Sequence, residues 1–211
     1  MALTTYSELK TAMTNWLNRS DSTTVAAIPD FISLAEATLN RREEIRDEAH
    51  GTLTLDKEIV TLPEDFREKL KLTFDDGVRF GEIEVIPSEM LASKKASLGT
   101  TGFPRFAAVI ENGLQVRLAP VPDQAYTVKV DYVATLTPLS SSVSTNWLLT
   151  SHPDIYLYAS LIESAPWLKD DERIPVWEST LEKRIEELGG FRVRQRSGGN
   201  TPRIRPRRAI G

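Results

Sequence analysis

The sequence predicts an α+β protein: a helical bundle of two N-terminal and two C-terminal helices, an inserted small antiparallel β domain, and an extended C-terminal arm. Three observations carry that expectation. Apolar residues recur at three- and four-residue spacing near both ends of the chain. The period drops to two in the middle, where tight-turn dipeptides punctuate it. Beyond residue 190, periodicity gives way to arginine, glycine and proline. The expected boundaries are 1–50 and 146–190 for the bundle, 51–145 for the β-rich insertion and 191–211 for the Arg-rich arm.

The first helix opens at Thr5, which with Glu8 forms a T-x-x-E capping box that satisfies free backbone donors. Leu9, Met13, Trp16 and Leu17 make its apolar stripe, and the turn formers Asn18 to Asp21 end it. A second helix is expected to open at Pro29, where a fixed φ and a missing N–H are tolerated. Phe31, Ile32, Ala35, Leu39 and Ile45 give its apolar side, and Glu36, Arg41, Arg42, Glu43 and Arg46 its charged side. Gly51 is the expected C-terminal stop.

From Thr52 the alternation is that of strands. Residues 52–55 and 58–62 flank Asp56-Lys57 as an expected hairpin. Residues 69–74 and 78–86 flank Asp75-Asp76-Gly77, and residues 105–110 and 114–118 flank Asn112-Gly113; D-G and N-G are strong tight-turn signals. A brief helix, capped by Ser88, lies between these hairpins. Residues 125–134 form a further strand, with Tyr126, Val128, Val130 and Tyr132 on one face. Residues 137–145 are a Pro/Ser/Thr linker.

Helical spacing then returns. Ser151-His152-Pro153 starts a helix whose stripe is Ile155, Tyr158, Leu161, Ile162 and Ala165, with Pro166 near its end. Asp170-Asp171-Glu172 places negative charge at the start of the last helix. Ile174, Trp177, Leu181, Ile185 and Leu188 form its seam, which Gly189-Gly190 is expected to close.

Composition narrows the function classes. Of 26 Lys+Arg in 211 residues, seven are arginines within residues 189–211, where there is no acid. The remaining 19 bases face all 30 acids, so residues 1–188 carry −11 and the tail +7. An acidic body does not coat nucleic acid; only the tail could. The absence of cysteine excludes disulfides, thiol catalysis and cysteine-based zinc sites. With no apolar run of about 18 residues and no signal-peptide pattern at the N-terminus, the expectation is a soluble protein made in the cytoplasm, with no membrane partner.

No catalytic constellation emerges. His50 and His152, the two histidines, lack partners at metal-ligand spacing and read as caps or exposed residues, so no metal or other cofactor is expected. Gly99-Thr100-Thr101-Gly102 leads to Phe103 rather than Lys-Ser/Thr, so it is not a phosphate-binding loop. Glu43/Glu44 and Asp170/Asp171 are sequence neighbours, not carboxylates facing each other across a cleft. Trp16, Trp147, Trp167 and Trp177 read as core. The expectation is a non-enzyme.

The tail stands apart. Arg192, Arg194 and Arg196 alternate with Phe191 and Val193, as a strand laid on another surface would. Further on, Ile204 and Ile210 interrupt Arg203, Arg205, Arg207 and Arg208 with apolar anchors, while Pro202 and Pro206 favour an extended chain. Arginine throughout suits bidentate pairing with carboxylates or phosphates. A docking arm is expected, directed at an acidic protein surface or at nucleic acid.

Several stretches resemble the head–tail adaptor (connector) proteins of tailed bacteriophages, close to the podovirus adaptors of tail-tubular-A type. They are Thr5-Tyr6-Ser7-Glu8-Leu9 through Trp16-Leu17-Asn18-Arg19-Ser20-Asp21, and Ile28-Pro29-Asp30-Phe31-Ile32-Ser33-Leu34-Ala35-Glu36 with Leu39-Asn40-Arg41. Asn146-Trp147-Leu148-Leu149, His152-Pro153-Asp154-Ile155-Tyr156-Leu157-Tyr158-Ala159 and Leu168-Lys169-Asp170-Asp171-Glu172-Arg173 complete the set in order.

The resemblance implies a structural virion protein in the neck, made in the host cytoplasm. It implies a homo-oligomeric ring, usually twelvefold, beneath the portal protein, with the tail or nozzle protein attached below. It also implies a C-terminal segment that reaches the portal. The residues expected there, by the physics of the tail, are Phe191, Arg192, Val193, Arg194, Arg196, Arg203, Ile204, Arg205, Arg207, Arg208 and Ile210. Arg41, Arg42, Glu43, Glu44 and Arg46 are expected between neighbouring subunits. An acidic wall would let viral DNA pass without specific binding. The alternative is a nucleic-acid-binding protein that grips phosphates with the Arg-rich tail; a hydrolase of cell-wall sugars has only scattered carboxylates in its favour.

Overall fold

The computed structural model describes residues 3–75, 80–110, 113–169 and 171–196, with the backbone alone at 75, 171, 195 and 196. The chain divides into two compact units, Met1–Ile45 with Leu136–Gly211, and Arg46–Thr135. The first is helical and the second is built on a sheet, an α+β protein.

The helical unit begins with α1 (Tyr6–Leu17), where the capping box is formed: the Glu8 N–H donates to Thr5 Oγ1 at 3.3 Å and the Thr5 N–H to Glu8 Oε2 at 3.0 Å. Its stop is Asn18, left-handed at φ 50°. Helix α2 runs over Ser22–Leu39, so it starts a turn and more before the expected Pro29. Asp21 explains the earlier start: its Oδ1 accepts the Thr24 N–H at 2.8 Å, and Thr24, Ala27 and Ile28 continue the buried stripe backwards. Pro29 is therefore internal, on a partly exposed side of the helix, where water can reach the carbonyl it leaves without a donor. The helix also ends earlier than expected, at Leu39. The apolar spacing breaks there, since Ile45 lies six residues on.

Helices α4 (Trp147–Ser151), α5 (Pro153–Leu168) and α6 (Ile174–Arg196) complete this unit, with a short 3₁₀ turn at Asp171–Arg173. Helix α5 packs against α1, α2 and α6 and has no exposed residue before Pro166, so it is the centre of the bundle. Leu9, Met13, Ile28, Ile32, Leu149, Tyr156, Leu161, Trp177 and Ile185 form one core with it. Burial of this kind contributes about 25 cal/mol per Å2 of apolar surface removed from water. Of the four tryptophans, Trp177 alone is fully core; Trp16 and Trp167 are 46% and 55% exposed, contrary to expectation. Each lies at the edge of its stripe, where one part of the ring packs edge-on, Trp16 on Tyr158 and Trp167 on Phe31, and the rest stays in water.

The second unit holds, among the described residues, β1 (Asp47–Leu55), β2 (Ile59–Thr61), β3 (Phe66–Asp75), β4 (Phe80–Val85), α3 (Ser88–Leu98), β5 (Phe106–Ile110), β6 (Gln115–Ala119) and β7 (Tyr126–Ala134). The sheet order is β1-β7-β3-β4-β5-β6-β2. The β3–β4 and β5–β6 pairs form as expected, and Gly113, at φ 90°, supplies the left-handed residue that the second turn requires.

Two expectations fail here. β1 and β2 are not a hairpin: β1 pairs with β7, from Asp47↔Ala134 to Leu55↔Tyr126, and β2 pairs with β6. Asp56-Lys57 supplies no glycine or asparagine for a primed turn, and the buried sides of Leu55 and Val60 are satisfied by non-local partners. The sheet is also not wholly antiparallel. β4 and β5 run parallel, joined by α3 as the crossover that parallel strands need. His50, expected at a helix boundary, is on β1 opposite Asp131, with Nδ1 2.8 Å from the Asp131 carboxylate.

Tyr126, Val128, Val130 and Tyr132 do share the buried face of β7. Tyr132 donates its hydroxyl to Asp65 Oδ1 at 2.8 Å, and burial first, then that carboxylate, push its pKa up to about 12. An ultraviolet titration of the folded chain should show a tyrosine ionising near that pH, and Tyr132→Phe should remove the step. Loss of a step at the ordinary tyrosine value of about 10 instead would contradict the assignment.

Candidate assembly surfaces

A polar hub inside the helical unit positions the segment that returns from the β unit. Glu36, on α2 and 6% exposed, accepts the Leu139 N–H at 2.7 Å and the Tyr156 hydroxyl at 2.8 Å, both at Oε1. Asn146 Nδ2 donates to the Thr137 carbonyl and to Tyr156 Oη, each at 2.8 Å, while its Oδ1 caps α4 through the Leu149 N–H. Asn40 Oδ1 accepts the Leu136 N–H at 2.7 Å, and the Tyr6 N–H donates to the Ser144 carbonyl at 2.7 Å. Residues 136–146 are thus strapped to three helices, largely through their own backbone polar groups. An unpaired buried N–H would cost about 1–3 kcal/mol, so each anchor has a structural effect.

The electrostatics follow from burial. Desolvation holds the Glu36 carboxyl above the usual carboxylate range, against the pull of its two hydrogen bonds. Tyr156 is held far above the ordinary tyrosine value by burial and then by the Glu36 charge. Charge alone sets Glu36 on the polar face of its helix, and that expectation is corrected here. Its spacing argues for the interior: position 36 is four residues after Ile32 and three before Leu39, on the apolar stripe.

The charged run after α2 is irregular chain rather than a helix face. Arg41 and Glu43 are exposed. Arg42 makes a two-armed ion pair with Glu182 of α6, at 39% and 54% side-chain exposure. Such an exposed pair is worth at most about 1 kcal/mol. Glu44 lies against Gly189, where an added Cβ would come within 3.1 Å of its Cγ. Arg46 belongs to the β unit, where its Nε is 3.3 Å from Glu68 Oε1 and its side chain is 11% exposed.

The close approach at Gly189 also explains why Gly189-Gly190 does not end α6. Neither glycine adopts a positive φ, and the first is needed for packing, so the helix runs on to Arg196. Residues 191–196, expected to begin the extended arm, are its last turns. Phe191 and Val193 are 50% and 61% exposed, and the Arg192 guanidinium lies 4.7 Å from the centre of the Trp147 ring. Arg203, Ile204, Arg205, Arg207, Arg208 and Ile210 lie outside the described residues, as does the side chain of Arg196.

Beside those last turns is a groove of about 300 Å3, bounded by α6 and the α4–α5 junction and reaching His152, Leu188, Phe191 and Arg194. In the β unit, Phe80 is 82% exposed on β4, and Glu82 and Glu84 beyond it are exposed as well. Among the described residues no group of three or more His, Asp or Glu is placed to hold a metal ion. No helix among them is long and apolar enough to cross a membrane.

The family model described as SU10 adaptor protein matches residues 4–207. No curated protein matches the chain.

Proposed function

The chain belongs to the SU10 adaptor protein family, a family of structural phage virion proteins, and we propose that it is the head–tail adaptor of its neck. In this reading its copies form a ring, twelvefold in number, beneath the portal protein. The ring gives the tail or nozzle protein a platform and surrounds the path of the DNA. The single observation that carries the reading is the family match over residues 4–207, which spans both units and most of the arginine tail.

Charge distribution supports the division of labour. A net −11 over residues 1–188 repels a DNA backbone sliding past, whereas the +7 of residues 189–211 seeks anions. Residues 197–211 dock to the portal, with Ile204 and Ile210 as apolar contacts and Arg203, Arg205, Arg207 and Arg208 pairing with carboxylates. Arg41 and Glu43 are exposed, where a neighbouring copy would meet them.

Deletion of residues 197–211 tests the portal contact while leaving α6 whole. The expected result is a folded chain that no longer co-purifies with assembled portal, and particles that leak DNA. The rival reading, in which the tail grips phosphates, predicts instead that the deletion removes a DNA affinity that falls steeply with salt. Portal attachment that survives the deletion, beside such a loss of DNA binding, would overturn the docking reading.

A further inference from the structure

We infer that copies of this chain join head to tail, with the outer face of β4 on one copy seated in the groove beside the last turns of α6 on the next. This rests on the ring reading above and supplies its contact surfaces.

The groove has an apolar floor and a cation that is uncommitted among the described residues. Ile155 and Leu188, 1% and 3% exposed, form the floor, and Phe191 flanks it at 50% exposure. Arg184 is already committed: its Nε is 3.2 Å from Asp154 Oδ2 and one terminal nitrogen is 3.0 Å from Glu187 Oε2. Arg194 on the same wall has no acidic partner among the described residues. The His152 ring opposite makes no capping bond and can donate as well. A guanidinium with no carboxylate, set over an apolar floor, is a receptor for an acidic side chain that follows a hydrophobic one.

β4 presents that pattern. Strand alternation puts Phe80, Glu82 and Glu84 on one face, about 6.8 Å apart in turn, and Ile83 on the other, where it is 1% exposed. Phe80, at 82% exposed, has no packing role among the described residues to explain it. Glu84 has no ion-pair partner among the described residues, and Glu82 reaches only Lys71, at 3.8 Å between two exposed side chains. The aromatic ring fits the apolar floor while a carboxylate meets Arg194.

A second copy is the occupant that charge favours. The body of the chain is acidic by 11 charges, so a contact between two copies needs a local cation facing an acid to offset their repulsion, and Arg194 and Glu84 supply that pair. The two patches are unlike each other and lie in different units. A contact between them is therefore heterologous, with each copy giving one surface and receiving the other, and such contacts close into rings when the rotation allows.

The absence of cysteine makes the test clean. Copies carrying Glu84→Cys and copies carrying Arg194→Cys are mixed, assembled with portal and treated with a short bismaleimide, because a Glu–Arg pair holds its Cα atoms beyond the reach of a direct disulfide. The expected product is a covalent dimer of one of each, absent when either variant is assembled alone. Arg194→Glu and Glu84→Lys should each abolish the ring, and the double variant should restore it. No cross-link, and rings that survive both charge reversals, would overturn the contact while leaving the ring reading intact. A cross-link from Arg194→Cys to a different virion protein would also overturn it. If the unaltered chain stays monomeric beside assembled portal, the ring reading itself fails.

Discussion

Replacing Glu36 by alanine will destabilise the helical unit by about 2–4 kcal/mol, because it strands two buried donors and opens a cavity. The Leu139 N–H and the Tyr156 hydroxyl both point at Glu36 Oε1, and alanine leaves neither with an acceptor. Glu36→Gln behaves differently, since an amide oxygen can accept both bonds. Its effect has a pH signature. Burial raises the Glu36 pKa, so between the usual glutamate value and the raised one the folded chain holds a proton that the unfolded chain has released. Stability from this group is complete below the usual value and falls as pH climbs through the raised one. Urea midpoints of the parent chain should therefore drop relative to Glu36→Gln as pH rises above the usual glutamate range. A parent chain that gains on Glu36→Gln as pH rises would show instead that the carboxylate, as an ion, stabilises the hub.

Phe74→Ala should cost the β unit about 3–5 kcal/mol, the usual penalty for removing a buried aromatic ring. Phe74 is 4% exposed on β3, its ring centre 4.6 Å from that of Phe103 and 5.7 Å from that of Tyr126. Phe103 and Tyr126 are themselves edge-on at 5.1 Å, so the substitution disturbs all three rings at once. Hydrogen exchange should report it as faster amides on β3 and β7, which pair through this region. Phe80→Ser is the control, changing stability by less than about 0.5 kcal/mol because the ring is already in water. Equal losses from the two substitutions would refute the placement of Phe74 in the core. Phe80→Ser should instead impair assembly if β4 meets a neighbouring copy.

Much of the fold was legible because local rules and tertiary packing agree. The capping box at Thr5 and Glu8, the glycine turn at Gly113 and the seam from Trp177 to Leu188 each state one conformation, and the structure has it. The family was legible too, through short stretches of weak individual signal in a fixed order. The hub was readable in part. Glu36 sits on an apolar stripe, yet its charge argues for the surface until a backbone N–H and a tyrosine hydroxyl from distant positions supply partners. Asn146 reads only as the first residue after the linker, because the fold supplies the partners of its amide nitrogen, Thr137 and Tyr156.

The sequence by itself determined most of the element types, the alternation of helical and strand periods, and the separation of an acidic body from a basic tail. Those follow from spacing, turn chemistry and charge, which are local quantities. Only the tertiary structure decided which strand pairs with β1, that α6 continues through two glycines to Arg196, and which charges stay unpaired at the surface. Each of those depends on partners far away in the chain: β7 for β1, Glu44 for Gly189, Asp154 for Arg184. Non-local contacts win there because burial and close packing outweigh the weak preference of a short segment.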